Sequence, residues 1–113
     1  MISETDFRVA VGSRLRLLRA ALGKTQKQLA DKLDVGATAV ANYENGDRAI
    51  DPFAAFKLKL SFGVPLEWLY GGDESTLPPN LAEKIDFARS AAEKLKTQNR
   101  GRGPRPIKPR KSA

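Results

Sequence analysis

The sequence predicts an all-α fold: five helices around one small core, then a sixth helix and a disordered basic tail. Apolar residues recur at spacings of three and four along most of the chain, and residues typical of helix starts and stops separate these runs. No stretch alternates between apolar and polar residues for long enough to predict a sheet. With 113 residues and a hydrophobic fraction of 41%, the chain is long enough for one small domain and some additional segments.

The ends of the first three helices are marked by local signals. The first helix carries apolar residues from Phe7 onwards and should stop at Gly23. The second should begin near Gln26, because Thr25 and Gln28 stand at the spacing of a capping box. The third contains Val40 and Tyr43 and should stop at Asn45-Gly46.

The fourth and fifth helices follow in the same way. Asp51-Pro52 is a strong helix start, because Asp can cap the helix and Pro suits its first position. The large apolar residues of the fourth helix are Phe53, Phe56 and Leu60. The stretch VPLEWLYGG predicts a short fifth helix with Leu66, Trp68 and Leu69 facing inward.

These signals divide the chain into four segments. The five-helix domain spans residues 1–72, a linker spans 73–80, the sixth helix spans 81–98 and the tail spans 99–113. Apolar residues of the sixth helix are spaced 4, 3, 4 and 3 apart, as in a heptad stripe: Leu81, Ile85, Ala88, Ala92 and Leu95. The stripe must be buried either on its own domain or on a second copy of the chain, so this helix is a candidate for dimerisation.

Most of the positive charge lies in the tail. The formal net charge is +7, and residues 100–113 contain six basic side chains and no acidic one, which leaves +1 for residues 1–99. The six are Arg100, Arg102, Arg105, Lys108, Arg110 and Lys111. A Gly- and Pro-rich basic segment cannot bury enough apolar surface to fold alone. It is either a solubilising end or an arm that contacts nucleic-acid phosphates.

Composition argues against several other functions. The absence of His and Cys removes the commonest general base, the commonest metal ligand and any disulfide, so neither an enzyme nor a metal site is predicted. No cofactor and no small-molecule ligand are expected. No apolar run is long enough to span a bilayer, and the N-terminus is unlike a signal peptide. A cytoplasmic protein without a membrane partner is therefore expected.

The second and third predicted helices are joined by a link of about three residues, Asp34 to Gly36. Such a short link requires a sharp angle and a small residue at the crossing, which Ala30 supplies, while Val40 anchors the third helix inward. This is the helix-turn-helix pattern. The stretches TQKQLADKL, VGATAVANYENG and LEWLYGG resemble the Xre/Cro family of phage and bacterial regulators, which implies a lambda-repressor-like fold that binds double-stranded DNA. Asp34 stands where that family usually has Gly, and Gly36 where it often has Ser or Thr.

In this arrangement the third helix would enter the major groove of DNA. Its outward face would consist of Ala37, Thr38, Ala41 and Asn42. Asn42 can pair with an adenine edge, Thr38 can exchange a hydrogen bond, and the alanines can contact a thymine methyl group. We therefore predict that these four residues contact bases.

Phosphate contacts are expected on both sides of the groove. In the resembled family the first residue of the second helix, here Gln26, reaches a phosphate. Lys27, Asn45 and Arg48 are placed to do the same. The resemblance also implies a structural ion pair between Arg19 and Glu44, whereas Arg14 and Arg16 are expected to be ordinary solvated charges.

The favoured function is a sequence-specific DNA-binding transcription regulator that acts as a homodimeric repressor. An activator that contacts RNA polymerase, or an autoregulating antitoxin that binds its toxin through the linker and sixth helix, would have the same pattern. The alternative from another class is an adaptor whose helices bind protein and whose tail holds RNA or a membrane surface without sequence preference. The nearly neutral charge of residues 1–99 favours that alternative.

Overall fold

A computed structural model describes the backbone of residues 2–101 and the side chains of residues 2–95. Within that range the chain forms six α-helices and one short 3-10 helix, and no strand. The helices are α1 (Glu4–Leu22), α2 (Gln26–Leu33), α3 (Ala37–Asn45), α4 (Pro52–Phe62), α5 (Leu66–Gly71) and α6 (Pro79–Gly101), with the 3-10 helix at Glu74–Thr76. The all-α prediction is confirmed.

Local capping explains most of the helix boundaries. At the start of α2, Thr25 Oγ1 accepts a hydrogen bond from the Gln28 N–H at 3.1 Å, and the Thr25 N–H donates to Gln28 Oε1 at 2.9 Å. This is the predicted capping box. Asp51 caps α4, whose first residue is Pro52. The first helix begins earlier than predicted, at Glu4, because Ser3 caps it by accepting from the Asp6 N–H.

One hydrophobic core joins all six helices. Its largest fully buried side chain is Trp68 of α5, around which α1 and α2 contribute leucines and α3 contributes Val40. Burial of each such side chain stabilises the fold by roughly 1.5–3 kcal/mol before the loss of chain entropy is subtracted. The predicted apolar positions of α1, α2, α3 and α5 lie in this core, except that Phe7, Leu22 and Leu66 are only half-buried.

The large apolar residues of α4 do not face the core. Phe53, Phe56 and Leu60 are 67%, 44% and 69% exposed, and the residues that face the core are Ala54, Ala55 and Leu58. Apolar residues occur almost all round this helix, so their spacing does not identify a buried side. Small alanines on the inner face allow α4 to pack closely against its neighbours.

The sixth helix packs against α1 through the beginning of its apolar stripe. Leu81 and Ile85 are 6% and 0% exposed and belong to the domain core, whereas Leu95 is 62% exposed. The helix also exceeds its predicted bounds of 81–98 at both ends. The beginning of the stripe is therefore buried on its own domain, which is one of the two alternatives that the sequence left open.

Arg14 is not an ordinary solvated charge. Its Nε donates to the Leu69 carbonyl oxygen at 2.9 Å, and its Nη2 donates to the Tyr70 carbonyl oxygen at 3.2 Å. These carbonyls at the end of α5 have no partner within their own helix. Arg14 therefore joins α1 to α5. In the part of the chain that the structure describes, no helix is both long and apolar enough to cross a membrane.

Candidate nucleic-acid interface

The link between α2 and α3 contains a strained residue. Asp34 has φ 58° and ψ 45°, and it is the one non-glycine residue with positive φ in the described range. The left-handed conformation reverses the chain within three residues, and the Val35 N–H then donates to the Ala30 carbonyl oxygen at 3.0 Å. Ala30 is 1% exposed, as expected for a small residue where two helices cross. The turn sets the angle between α2 and α3.

The two sides of α3 differ in exposure. Val40 and Tyr43 are buried, whereas Thr38 is exposed and Ala41 and Asn42 are half-buried. Within the described residues, the side chains of Thr38 and Asn42 make no hydrogen bond, so their polar groups are available to a ligand. We call this outer side of α3, formed by Thr38, Ala41 and Asn42, the reading face.

Ala37 is less available than the sequence predicted. It is half-buried and packs against the hydrophobic core at the first position of α3. The side chain of Ala37 is a single methyl group, so its exposed part offers little surface for contact with a base. The helix start at Gly36 has no side-chain cap.

Glu44 lies on the inner side of α3 and holds that helix against α1. Its side chain is 0% exposed. Arg19 Nε donates to Glu44 Oε2 at 2.6 Å and Arg19 Nη2 donates to Glu44 Oε1 at 3.0 Å, a bidentate pair. Arg19 Nη1 also donates to the Lys24 carbonyl oxygen at 3.0 Å, which joins the pair to the turn between α1 and α2.

Two further side chains contact the same carboxylate. Gln26 Nε2 donates to Glu44 Oε1 at 3.1 Å, and Arg16 Nε lies 3.6 Å from that oxygen. Burial alone would raise the pKa of Glu44, but the hydrogen bonds from Arg19 and Gln26 and the nearby guanidinium charges hold it below its usual value. The hydrogen bond to Glu44 raises the pKa of Arg19 in turn. The pair is therefore charged near neutral pH.

The contacts with Glu44 change the expected roles of two residues. Arg16, expected to be solvated, contacts Glu44 and also donates to Asn45 Oδ1 at 3.2 Å. Gln26, predicted to reach a phosphate, uses one amide N–H on Glu44. An amide group has two N–H donors, so one remains for a phosphate oxygen. The Asn45 amide nitrogen likewise keeps its donors, because only its oxygen is used.

The two basic candidates lie at opposite ends of the helix-turn-helix unit. Lys27 is in the first turn of α2, where its ammonium group lies 3.3 Å from exposed Asp31. Arg48 follows α3 and stacks over the ring of Tyr43, 5.5 Å from the ring centre. Both side chains are exposed. With Gln26 and Asn45 they form a polar border around the reading face.

Sequence reasoning missed Gly12, which allows α1 to approach α3. A Cβ built on Gly12 would lie 2.8 Å from the Glu44 carbonyl oxygen and closer still to that of Tyr43. No side chain fits in that space. The only signal in the sequence is a glycine in the interior of a helix, where it costs stability unless a close contact requires it.

Residues 102–113, which contain five of the six basic tail residues, lie outside the described range. Arg100 is in the last turn of α6, but its side chain is also outside that range. The predicted tail contacts therefore remain predictions. Among the described residues, no group of acidic side chains could hold a metal ion.

Helices α2 and α3, the tight turn between them and the unpartnered outer side of α3 define a helix-turn-helix protein. Residues 15–69 match the family model described as helix-turn-helix, and this part of the chain belongs to that family, in its Xre/Cro type. The match begins within α1 and ends within α5, so it contains Glu44 and the three side chains that contact its carboxylate.

Relatives support the same assignment. The chain is 36% identical over 66 residues to the HTH-type transcriptional regulator ImmR of Bacillus subtilis, an alignment that covers 58% of this chain and 52% of that protein. It is 27% identical over 92 residues to uncharacterized HTH-type transcriptional regulators of Sinorhizobium medicae and Rhizobium meliloti, covering 74% of this chain and 66% of each relative. The chain thus spans between half and two thirds of the length of these relatives. No solved structure matches it.

Proposed function

We propose that this protein is a sequence-specific, double-stranded DNA-binding transcription regulator that acts as a homodimeric repressor. The observation that carries the proposal is the reading face. Its side chains are small, its polar groups make no hydrogen bond among the described residues, and the inner side of the same helix is fixed to α1 by the Arg19–Glu44 pair. The HTH-type transcriptional regulators to which the chain is similar support the part of the proposal that concerns transcription regulation.

The small side chains of the reading face suit entry into a groove. The major groove of B-DNA is about 12 Å wide and admits one α-helix. Ala41 lets the backbone come close to the base edges, and Asn42 and Thr38 then supply the hydrogen bonds that distinguish one base pair from another. The polar border would position the helix, because contacts to phosphates fix register without reading sequence.

Glu44 supports this function because its charge is neutralised. An unpaired carboxylate beside phosphates would be repelled, but Glu44 is buried and paired with Arg19. The paired acid stabilises the domain while the surface offered to DNA keeps Lys27 and Arg48. The nearly neutral net charge of residues 1–99 is therefore compatible with a DNA-binding surface.

Selection of bound sequences from random duplexes at a stated salt concentration tests the proposal. We expect one preferred motif, and we expect Asn42→Ala to weaken binding to it by about 1–3 kcal/mol and to relax preference at one base pair. Asn45→Ala is the matched control, since it removes the same side chain from the same helix at a position assigned to phosphate. It should weaken binding to all sequences alike and leave the motif unchanged.

The adaptor alternative gives a different result. It predicts no preferred motif and no loss of affinity from Asn42→Ala. Reporter transcription from a promoter that carries the selected motif tests repression directly. Higher transcription with the protein than without it would identify an activator instead.

A further inference from the structure

An apolar groove lies between the end of α1 and the outer part of α6. Its volume is about 730 Å³. We call it the α1–α6 groove and define it by Ala20, Leu22, Phe87, Ala91 and Leu95. Four of the seven remaining lining residues are alanine or glycine, so the floor is shallow and a helix can approach closely.

The groove is bordered by large apolar side chains that the domain leaves in water. Phe87 is 78% exposed and Leu95 is 62% exposed. They stand four residues either side of Ala91, so the three form one row along the helix. Contiguous exposed apolar surface of this kind marks an interaction site.

We infer that the α1–α6 groove binds the α6 helix of a second copy of this chain, and that this contact forms the homodimer. The inference rests on the proposed function for its purpose, because a dimer would present two reading faces to one DNA site. Its physical basis is independent of DNA.

The first argument is self-complementarity. A two-fold interface uses the same surface twice, so that surface must carry both a projection and a recess that receives it. Here one face of α6 provides both, since Phe87 and Leu95 project on either side of the recess at Ala91. If two α6 helices pack antiparallel, Phe87 faces Leu95 of the second copy, and Ala91 faces its own equivalent.

The second argument is charge. The rim of the α1–α6 groove carries Glu83 and Lys84, one charge of each sign, so two copies need not repel each other. Another exposed apolar surface is the outer side of α4, where Phe53 and Leu60 are accompanied by Lys59 and α4 has no acidic residue. Two copies that met through α4 would bring like charges together. The second copy therefore fits the α1–α6 groove better.

Analytical ultracentrifugation without DNA tests the interface through two matched variants. Leu95→Asp and Leu60→Asp each place a charge at an exposed leucine, 62% and 69% exposed, on different helices. We expect wild type and Leu60→Asp to be dimers, and we expect Leu95→Asp to raise the dimer dissociation constant roughly tenfold or more. At protein concentrations low enough for the wild type to be monomeric, both variants should have the wild-type melting temperature. A monomeric wild type, or dissociation caused by Leu60→Asp but not by Leu95→Asp, would overturn the inference.

Disulfide trapping tests the register. The chain has no cysteine, so one introduced cysteine can pair only with another copy. Ala91→Cys should form a covalent dimer on mild oxidation, because the antiparallel arrangement brings the two Cβ atoms to within the roughly 4 Å that a disulfide needs. Ser90→Cys, at the exposed neighbouring position outside the groove lining, should not. Equal trapping of both variants, or trapping of neither, would contradict the register.

These measurements also separate this inference from the proposed function. A dimer that is lost in Leu95→Asp but shows no preferred DNA motif would contradict the function and leave the interface in place. A preferred motif bound by a protein that is a monomer in solution would contradict the interface and leave sequence-specific DNA binding in place.

Discussion

Arg19 and Glu44 join the end of α1 to the inner side of α3 through two hydrogen bonds of 2.6 and 3.0 Å. The carboxylate is fully buried, and the guanidinium is 22% exposed. A charge removed from water is tolerated only when its partner and further hydrogen bonds replace the lost hydration, and here Gln26 supplies one of them. The position of the reading face therefore depends on an ion pair on the opposite side of its helix.

Removing Arg19 should destabilise the domain. Arg19→Ala leaves the buried Glu44 carboxylate with only Gln26 and Arg16, and we expect a loss of about 3 kcal/mol in the free energy of unfolding. Arg89→Ala is the control, because Arg89 lies at the same 2.6 Å from Glu74 but both side chains are well exposed. That pair should contribute less than about 1 kcal/mol. Urea unfolding of both variants measures the difference, and equal losses would contradict the role assigned to burial.

Stability should fall in acid partly through Glu44. Its pKa in the folded protein is below the usual 4.5, so its contribution is complete above that pH and disappears as the pH falls through the lowered folded value. The stability difference between wild type and Glu44→Gln should therefore be constant from neutral pH down to about 5 and then shrink. Unfolding curves at several pH values test this. A difference that widens in acid would mean that the folded pKa is raised.

Gly12 should not tolerate a methyl group. Alanine normally stabilises a helix interior by about 1 kcal/mol relative to glycine, but at position 12 its Cβ would press on the backbone of Tyr43 and Glu44. We expect Gly12→Ala to destabilise the domain by about 1–3 kcal/mol, as overpacking does. Gly71→Ala, in α5 with nothing within 4 Å of the added Cβ, should keep or raise stability. Melting temperatures that rise in both variants would show that α1 can move away from α3 at little cost.

Substitution of Gly or of Ala should have opposite relative effects on stability at Asp31 and at Asp34. At Asp34, where φ is 58°, Gly should be more stable than Ala by about 1 kcal/mol, because a Cβ is strained in the left-handed conformation. At Asp31, an exposed position within α2, Ala should be the more stable by about the same amount. Four variants compared by thermal unfolding test the reversal. Finding Ala better at both positions would mean that the turn relaxes out of its left-handed conformation.

The basic tail should affect DNA affinity more than sequence preference. Ending the chain after Gly101 removes five positive charges and keeps α6 whole. If the tail binds phosphates, affinity should depend less steeply on salt in the shortened chain. The magnitude of the slope of log affinity against log salt should decrease by about 0.9 for each phosphate that is no longer neutralised. The selected motif and the melting temperature should stay the same. An unchanged slope would assign the tail to solubility or to an acidic protein partner.

The sequence predicted best where the signal is local. The capping box of Thr25 and Gln28 and the start at Asp51-Pro52 depend on residues within one turn of each other, so neighbouring letters contain the whole signal. The inner face of α3 could also be predicted, because Val40 and Tyr43 are the large apolar residues of a helix otherwise made of small and polar ones.

The features that sequence reasoning missed are those that distant parts of the chain decide. The buried side of α4 depends on the helices beside it, and a helix that is apolar on every side does not reveal which residues they cover. The use of Gly12 depends on a backbone contact with residues more than thirty positions away. Arg16 and Gln26 contact Glu44 because α1, α2 and α3 converge at that residue. Residue spacing within a single helix does not predict such a contact between three helices.

The one-sided support of α3 has an evolutionary consequence. Gly12, Val40 and the Arg19–Glu44 pair hold the helix entirely from its inner side. Thr38 and Asn42 make no hydrogen bond within the described structure, so replacing them removes no hydrogen bond on which the domain depends. If the reading face contacts bases as proposed, a lineage carrying this scaffold can change its target site by a few substitutions without first acquiring compensating stability. On the same condition, positions 38, 41 and 42 are suitable for randomised libraries aimed at new operators.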